Sequence, residues 1–202
     1  MAQQFDALKL EIPAIRAFTP TKPRDAFFTQ ETLRFYSIAG SIEQSFLNVQ
    51  VSIDERILTH ILMRSLIENY FRILYIFDDP TQSQARFDEC VNGFKREYIK
   101  MYNDQALPHR NLLEPPDPAW GTSPRAARDL NSMLAALNVS GTYIYFVYRV
   151  CSFDTHGNSL EALFDASFNK KPCNFPVLNL GNVIEGIATD YLRIWNGGVL
   201  PP

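Results

Sequence analysis

The sequence predicts an all-α protein, a single-domain bundle of about six helices that follows an irregular N-terminal arm. Two observations predict this class. All 13 prolines fall outside residues 24–79, 81–107, 125–171 and 177–200, and an internal proline costs a helix about 3 kcal/mol, so the proline-free windows favour helices. The sequence contains no two segments with strand-like patterns that could pair in a sheet. With 202 residues, the chain is long enough for one well-buried domain.

The prolines divide the chain into an arm and a bundle. Pro13, Pro20 and Pro23 indicate a partly extended arm over residues 1–29, with the bundle over 30–202. Helices are expected over about residues 30–49, 53–78, 80–103, 124–138, 140–167 and 177–195.

Two of these helices need separate arguments. Ser123-Pro124 is a favourable start, with serine as N-cap and proline in the first turn. The segment "TYIYFVYRV" is rich in β-formers, but we predict a helix there because the chain offers it no strand partner. This helix is expected to break near Gly157.

Composition and charge exclude several classes of protein. A charged fraction of 20% and a hydrophobic fraction of 46% are those of an ordinary globular chain. The net charge of −3 argues against a protein that coats nucleic acid nonspecifically, although it permits a small basic cleft. No signal peptide or membrane-spanning run is present, and three widely spaced cysteines fit a reducing compartment, so a cytoplasmic protein is expected.

A ladder of polar residues runs along the predicted helix over 53–78, whose apolar residues are distributed around every side. Its members, Arg56, His60, Arg64, Glu68 and Arg72, recur every four residues, so neighbours can touch. Arg64 and Glu68 are expected to pair, either as a structural ion pair or as part of a site. We expect the outer arginines to be solvated, and His60 to be a surface or satisfied histidine.

A second polar stripe lies on the helix that contains "YIYFVYRVCSFDTHGNS". Tyr145, Arg149, Ser152 and His156 lie within about 60° of one another on a helical projection. In a structural interpretation, Ser152 bonds a carbonyl one turn back and His156 caps the helix before Gly157.

In a functional interpretation, the two stripes face a common cleft that contains Arg64, Glu68, Arg149, Ser152 and His156. Two arginines could hold a phosphate through charge-assisted hydrogen bonds, and a histidine could move protons near neutral pH. One histidine and one glutamate are too few ligands for a metal site, and neither a phosphate-binding loop nor a nucleophile elbow is present, so no metal or cofactor is expected.

The segments "RSLIENYFRILYIF" and "YIYFVYRVCSFDTHGNS" together resemble a bacterial branch of the HEPN-like helical domains. That branch pairs an Arg-x-x-x-Glu helix with a Tyr…Ser-x-x-x-His helix, and the resemblance covers about residues 35–165. Arg149 and His156 also form Arg-x6-His, the long limit of the Arg-x4–6-His signature of HEPN ribonucleases.

The resemblance implies a metal-independent endoribonuclease, in phage defence or as a toxin, with an antitoxin or defence-system protein as partner. Arg149 would bind the scissile phosphate, and His156 would act as acid or base while the ribose 2′-OH attacks. Val150 departs from the polar residue usual after the arginine, which leaves Arg64 as an alternative phosphate ligand. The resemblance also implies a homodimer with the cleft between two chains, in which residues 1–29 could be an exchanged or covering arm.

A non-catalytic helical module is the alternative, binding a partner protein or a nucleotide through the same pocket. The acidic net charge is in its favour. A nuclease cleft should be locally basic, with Arg64 and Arg149 joined by Lys95, Arg96 or Lys100 on one side.

Overall fold

The computed structural model describes residues 3–45, 53–121, 126–157, 160–169 and 178–197, and within these ranges the chain is all-helical. The predicted all-α class is therefore confirmed for the described residues. They contain eight α-helices where about six were predicted. The two additional helices come from the N-terminal segment and from the division of the predicted helix over 140–167.

The helices are, in chain order, α1 (Gln3–Ala17), α2 (Pro23–Ser45), α3 (Ile53–Phe77), α4 (Ser83–Asn103), α5 (Leu130–Leu137), α6 (Tyr143–Thr155), α7 (Leu160–Phe168) and α8 (Leu180–Asn196). The connection between α4 and α5 contains two 3-10 turns, Arg110–Leu112 and Pro118–Trp120.

The N-terminal segment is helical, so the prediction of an irregular arm was wrong. Four apolar side chains at helical spacing are buried on α1, and this burial outweighs the cost of Pro13 inside the helix: Phe5, Leu8, Ile12 and Ile15. The boundary placed at residue 29 also falls inside α2, which begins at Pro23.

Polar contacts with α8 fix α1 at two points. The Glu185 carboxylate accepts hydrogen bonds from the backbone amides of Gln4 (2.7 Å) and Phe5 (3.3 Å). An acidic side chain at this position also complements the positive end of the helix dipole. Further along, the Trp195 indole donates to the Glu11 carboxylate (3.1 Å). The first helix is therefore an integral part of the bundle.

Helix α3 lies at the centre and packs against α2, α4, α5, α6, α7 and α8. Its apolar residues are buried on several sides, as expected for a helix that is apolar all round, and include Met63, Ile67, Phe71 and Ile73. The Tyr70 hydroxyl donates to the Asp190 carboxylate of α8 (2.8 Å). Of the polar ladder on α3, Arg56 and His60 are buried, whereas Arg64, Glu68 and Arg72 are partly exposed.

The β-former-rich segment is helix α6, as predicted. Thr142 caps its N-terminus by accepting a hydrogen bond from the Tyr145 amide (3.2 Å). Val147 and Cys151 are fully buried in the core. The predicted break is confirmed, because α6 ends at Thr155 and Gly157 adopts a φ of 71°.

Helix α5 begins later than predicted. Asp129 is its N-cap and accepts from the Ser132 amide (2.8 Å), while residues 126–129 are not helical. The predicted cap at Ser123-Pro124 lies outside the described residues, as do residues 46–49 at the end of the predicted helix over 30–49.

We expect Phe5→Ala to lower the free energy of unfolding by about 3–5 kcal/mol. The Phe5 ring is 0% exposed and packs edge-to-face on Phe35, with the ring centroids 5.6 Å apart. Leu10→Ala is the control on the same helix, since Leu10 is 81% exposed, and it should change stability by less than about 0.5 kcal/mol. Urea unfolding of the three proteins measures both values, and equal losses would show that α1 is not docked as described.

Candidate functional site

An open cleft of about 650 Å³ lies where α3, α5 and α6 meet, and is named here the α3–α6 cleft. Its wall combines exposed aromatic rings with a concentration of polar groups. The polar and ionisable lining residues are Arg56, Arg64, Asn131, Tyr145, Tyr148, Arg149, Ser152, Asp154 and His156.

The two polar stripes predicted from the sequence contribute to this one cleft. Arg64 lines it from α3, while Arg149, Ser152 and His156 line it from α6. Glu68 is not part of the lining, but it bonds Arg64, with Nε and Oε1 3.0 Å apart. The geometry therefore brings the predicted residues into one region, with Glu68 behind Arg64.

The basic side chains of α4 are placed elsewhere. Lys95, Arg96 and Lys100 do not line the α3–α6 cleft. Arg96 and Lys100 instead form ion pairs with Glu97 on their own helix (3.3 and 2.9 Å). The positive charge of the cleft therefore comes from α3 and α6.

The arginines of the cleft differ in how their charge is balanced. Arg64 is held by the Glu68 carboxylate and also donates from Nη1 to the Thr155 hydroxyl (3.2 Å), so it is oriented and neutralised. Arg149 is exposed and donates only to the neutral Tyr145 hydroxyl (3.3 Å), with no carboxylate partner among the described residues. Arg149 is therefore the arginine with charge available for an anion.

Ser152 and His156 occupy the end of α6. The Ser152 hydroxyl is buried and has no hydrogen-bond partner in the described part of the chain, so the predicted bond to a carbonyl one turn back is not formed. Thr155 makes that kind of bond instead, donating to the Cys151 carbonyl (2.6 Å). His156 is the C-cap of α6, as the structural interpretation expected, and its side chain is exposed at the cleft.

Beneath this surface, a buried cluster joins α3 to α6. The Asp154 Oδ2 atom lies 2.6 Å from His60 Nδ1 and accepts from Arg56 Nε (3.2 Å) and Nη2 (3.0 Å). The expectation of a solvated Arg56 was wrong, because this residue is only 7% exposed. Of the two alternatives for His60, a surface histidine or a satisfied one, the structure has the second, since His60 is 1% exposed and bonded to Asp154. A buried arginine needs a counter-charge, and the carboxylate of Asp154 supplies it.

The environment of His60 favours its neutral form. Burial lowers its pKa, the positive charge of Arg56 lowers it further, and Asp154 opposes both effects. A neutral imidazole can still donate from Nδ1 to the Asp154 carboxylate. The sequence offered one indirect signal for Asp154, since Arg56 and His60 on an apolar helix require a polar partner from another element.

The chain matches no family model, and no match appears among curated proteins or solved structures. No described helix combines the length and hydropathy needed to cross a bilayer. Across the described ranges, no three His, Cys, Asp or Glu side chains are grouped as metal ligands. The chemistry of the cleft is therefore argued from its own side chains.

The depressed pKa of His60 predicts a loss of stability in mild acid. Because the unfolded histidine binds its proton at higher pH than the folded one, the stabilisation is complete above the unfolded pKa of about 6.5 and declines as pH falls toward the folded value. Urea unfolding between about pH 7.5 and 5.5 should show a smaller pH dependence for His60→Gln than for the wild type.

His156→Gln is the matched control, because it removes an exposed imidazole and should keep the wild-type pH dependence. An unchanged dependence in His60→Gln would contradict the buried, neutral state of this histidine.

Proposed function

We propose that this protein is a metal-independent endoribonuclease of the HEPN-like type, with the α3–α6 cleft as its active site. The observation that carries the proposal is that Arg149 and His156 line the same open cleft, with no carboxylate bonded to Arg149 among the described residues. An unneutralised guanidinium can stabilise the charge on a phosphate, and an exposed imidazole can transfer the protons, in phosphodiester cleavage by an internal hydroxyl.

In this proposal, the RNA lies with one phosphate against Arg149 and the adjacent ribose 2′-OH near His156. His156 accepts the 2′-OH proton as the P–O2′ bond forms. The P–O5′ bond breaks, the leaving 5′ oxygen takes a proton from solvent water, and His156 returns its proton to solvent after the reaction. Arg149 offsets the negative charge that grows on the phosphoryl oxygens. The products are a 2′,3′-cyclic phosphate and a 5′-hydroxyl.

Arg64 and the buried cluster act as positioning groups in this scheme. Arg64 bonds Thr155, the residue before His156, so it orients the end of α6 while Glu68 neutralises its charge. Asp154 fixes the same turn from below through Arg56 and His60. These contacts support Arg149 rather than Arg64 as the phosphate ligand in this proposal.

A homodimer completes the proposal, with the aromatic face of α6 as the interface. This face consists of Tyr143, Phe146 and Phe153, which lie on one side of the helix and are 43%, 48% and 52% exposed. Phe146 and Phe153 also line the cleft. A second copy packed on this face would cover apolar surface and bring its own Arg149 and His156 to the rim of the same cleft.

We expect His156→Asn to reduce RNA cleavage by about 10²–10⁴-fold, because proton transfer by a histidine contributes this much to a rate. His109→Asn is a control that removes another exposed histidine, and asparagine suits the positive φ of 60° at that position. The assay is cleavage of total RNA and tRNA on denaturing gels, with end-group analysis for the cyclic phosphate and with EDTA present.

Arg149→Met should abolish cleavage and keep the melting temperature, whereas Arg64→Met should lower both, because Glu68 then loses its ion-pair partner. Wild-type protein that leaves RNA intact with and without divalent ions would support the binding-module alternative. Cleavage that persists in His156→Asn would mean that the catalytic histidine was misassigned.

The proposed dimer predicts that Phe153→Glu yields monomers at micromolar concentration, because a charged side chain would be buried in the interface. Leu112→Glu is the control, since Leu112 is 80% exposed in the connection between α4 and α5. Sedimentation equilibrium measures the mass of each protein, and a wild type that is already monomeric would contradict the dimer.

A further inference from the structure

A second cavity, of about 610 Å³, lies on another side of α5 and is named here the α4–α5 cavity. Side chains from α2, α3, α4 and α5 form its apolar wall, among them Phe27, Ile76, Phe87, Leu130 and Met133. Cys90 also lines this wall. Burial raises the pKa of its thiol to about 11, so the thiol is uncharged and adds to the apolar surface. A cavity of this volume with a largely apolar wall suits a small molecule.

The outer wall of this cavity is held firmly against α4. The Arg128 backbone amide donates to the Glu89 carbonyl (3.1 Å), and its guanidinium pairs with the Glu89 carboxylate (3.1 Å). Gly93 permits this approach, since a Cβ there would lie 2.4 Å from the Arg128 carbonyl oxygen. Specific contacts between Arg128 and Glu89 therefore keep one wall of the α4–α5 cavity in place.

Arg72 supplies the polar feature that defines a ligand class. It lines the cavity and donates to the neutral Asn69 side chain (2.8 Å), and none of the described carboxylates forms an ion pair with it. Burial raises the pKa of the Glu31 carboxyl, and the positive charges of Arg34 and Arg72 oppose this rise, so Arg72 lies near Glu31. The ion pair of Glu31, however, is with Arg34.

The other charged groups of the cavity wall already have partners. Arg128 is paired with Glu89, and Glu97 is paired with Lys100 and Arg96. Asp129 accepts the Ser132 amide as the N-cap of α5. A ligand that enters the cavity therefore contacts an apolar wall and the guanidinium of Arg72, which can donate hydrogen bonds to an anion.

We propose that the α4–α5 cavity binds a small amphipathic monocarboxylate, with its hydrocarbon part against the apolar wall and its carboxylate on Arg72. A carboxylate can take two parallel hydrogen bonds from a guanidinium, and this geometry selects it over a neutral alcohol of the same shape. The site is separate from the α3–α6 cleft, and the inference does not depend on ribonuclease activity.

Isothermal titration calorimetry with 6-phenylhexanoate tests the proposal, with 6-phenylhexan-1-ol as the neutral analogue. The wild type should bind the acid at least about tenfold more tightly than the alcohol, as expected when a charge-assisted hydrogen bond is gained. Arg72→Met should weaken binding of the acid by about tenfold or more and leave binding of the alcohol unchanged. Arg193→Met, an arginine of α8 paired with Asp190, is the control and should bind both probes as the wild type does.

Val91→Phe is a second, independent variant that keeps Arg72 and fills part of the cavity. It should weaken binding of both probes, and it decides the question if Arg72→Met does not fold. Circular dichroism confirms that each variant is folded. Absence of binding to folded wild-type protein at millimolar acid would overturn the proposal, as would equal affinity for acid and alcohol, or unchanged affinity in folded Val91→Phe.

Discussion

Asp154 is buried near the C-terminal end of α6, where it accepts hydrogen bonds from Arg56 and His60 of α3. Loss of one partner of a buried ion pair typically costs about 3–5 kcal/mol, because it leaves an uncompensated charge in the interior. The cluster therefore sets the rotation of α6 about its own axis. Since side chains on a helix keep fixed angular relations, that rotation also determines where Arg149 and His156 lie.

The ion pair that the sequence predicted within the site is local, and the buried cluster that it missed is not. Arg64 and Glu68 pair across one turn of one helix, a relation that spacing alone specifies. Asp154 is 98 residues from Arg56, so no spacing rule connects them, and only the packing of α3 on α6 does so. Arg56 is buried only because α6 packs on α3. The spacing of residues along α3 does not show that contact, so Arg56 was expected to be solvated.

The fold shows the same division between local and tertiary causes. Gly157 ends a helix through its own backbone freedom, and the sequence was sufficient to predict that break. The prolines of the first 29 residues suggested an extended arm, but the apolar stripe of α1 gains more by packing on α8 than Pro13 costs. Propensity is a weak guide wherever a helix has a large buried face.

The charges of the α3–α6 cleft largely cancel, and what remains limits what the cleft can bind. Arg56 is neutralised by Asp154 and Arg64 by Glu68, which leaves Arg149 as the open cation on α6. Nonspecific binding of nucleic acid depends on many phosphate contacts at once. When each chain of net charge −3 offers one available guanidinium to the cleft, the cleft is instead suited to a phosphate held in a defined position. Recognition of RNA by such a site would therefore depend on the shape and stacking of the nucleotides beside that phosphate.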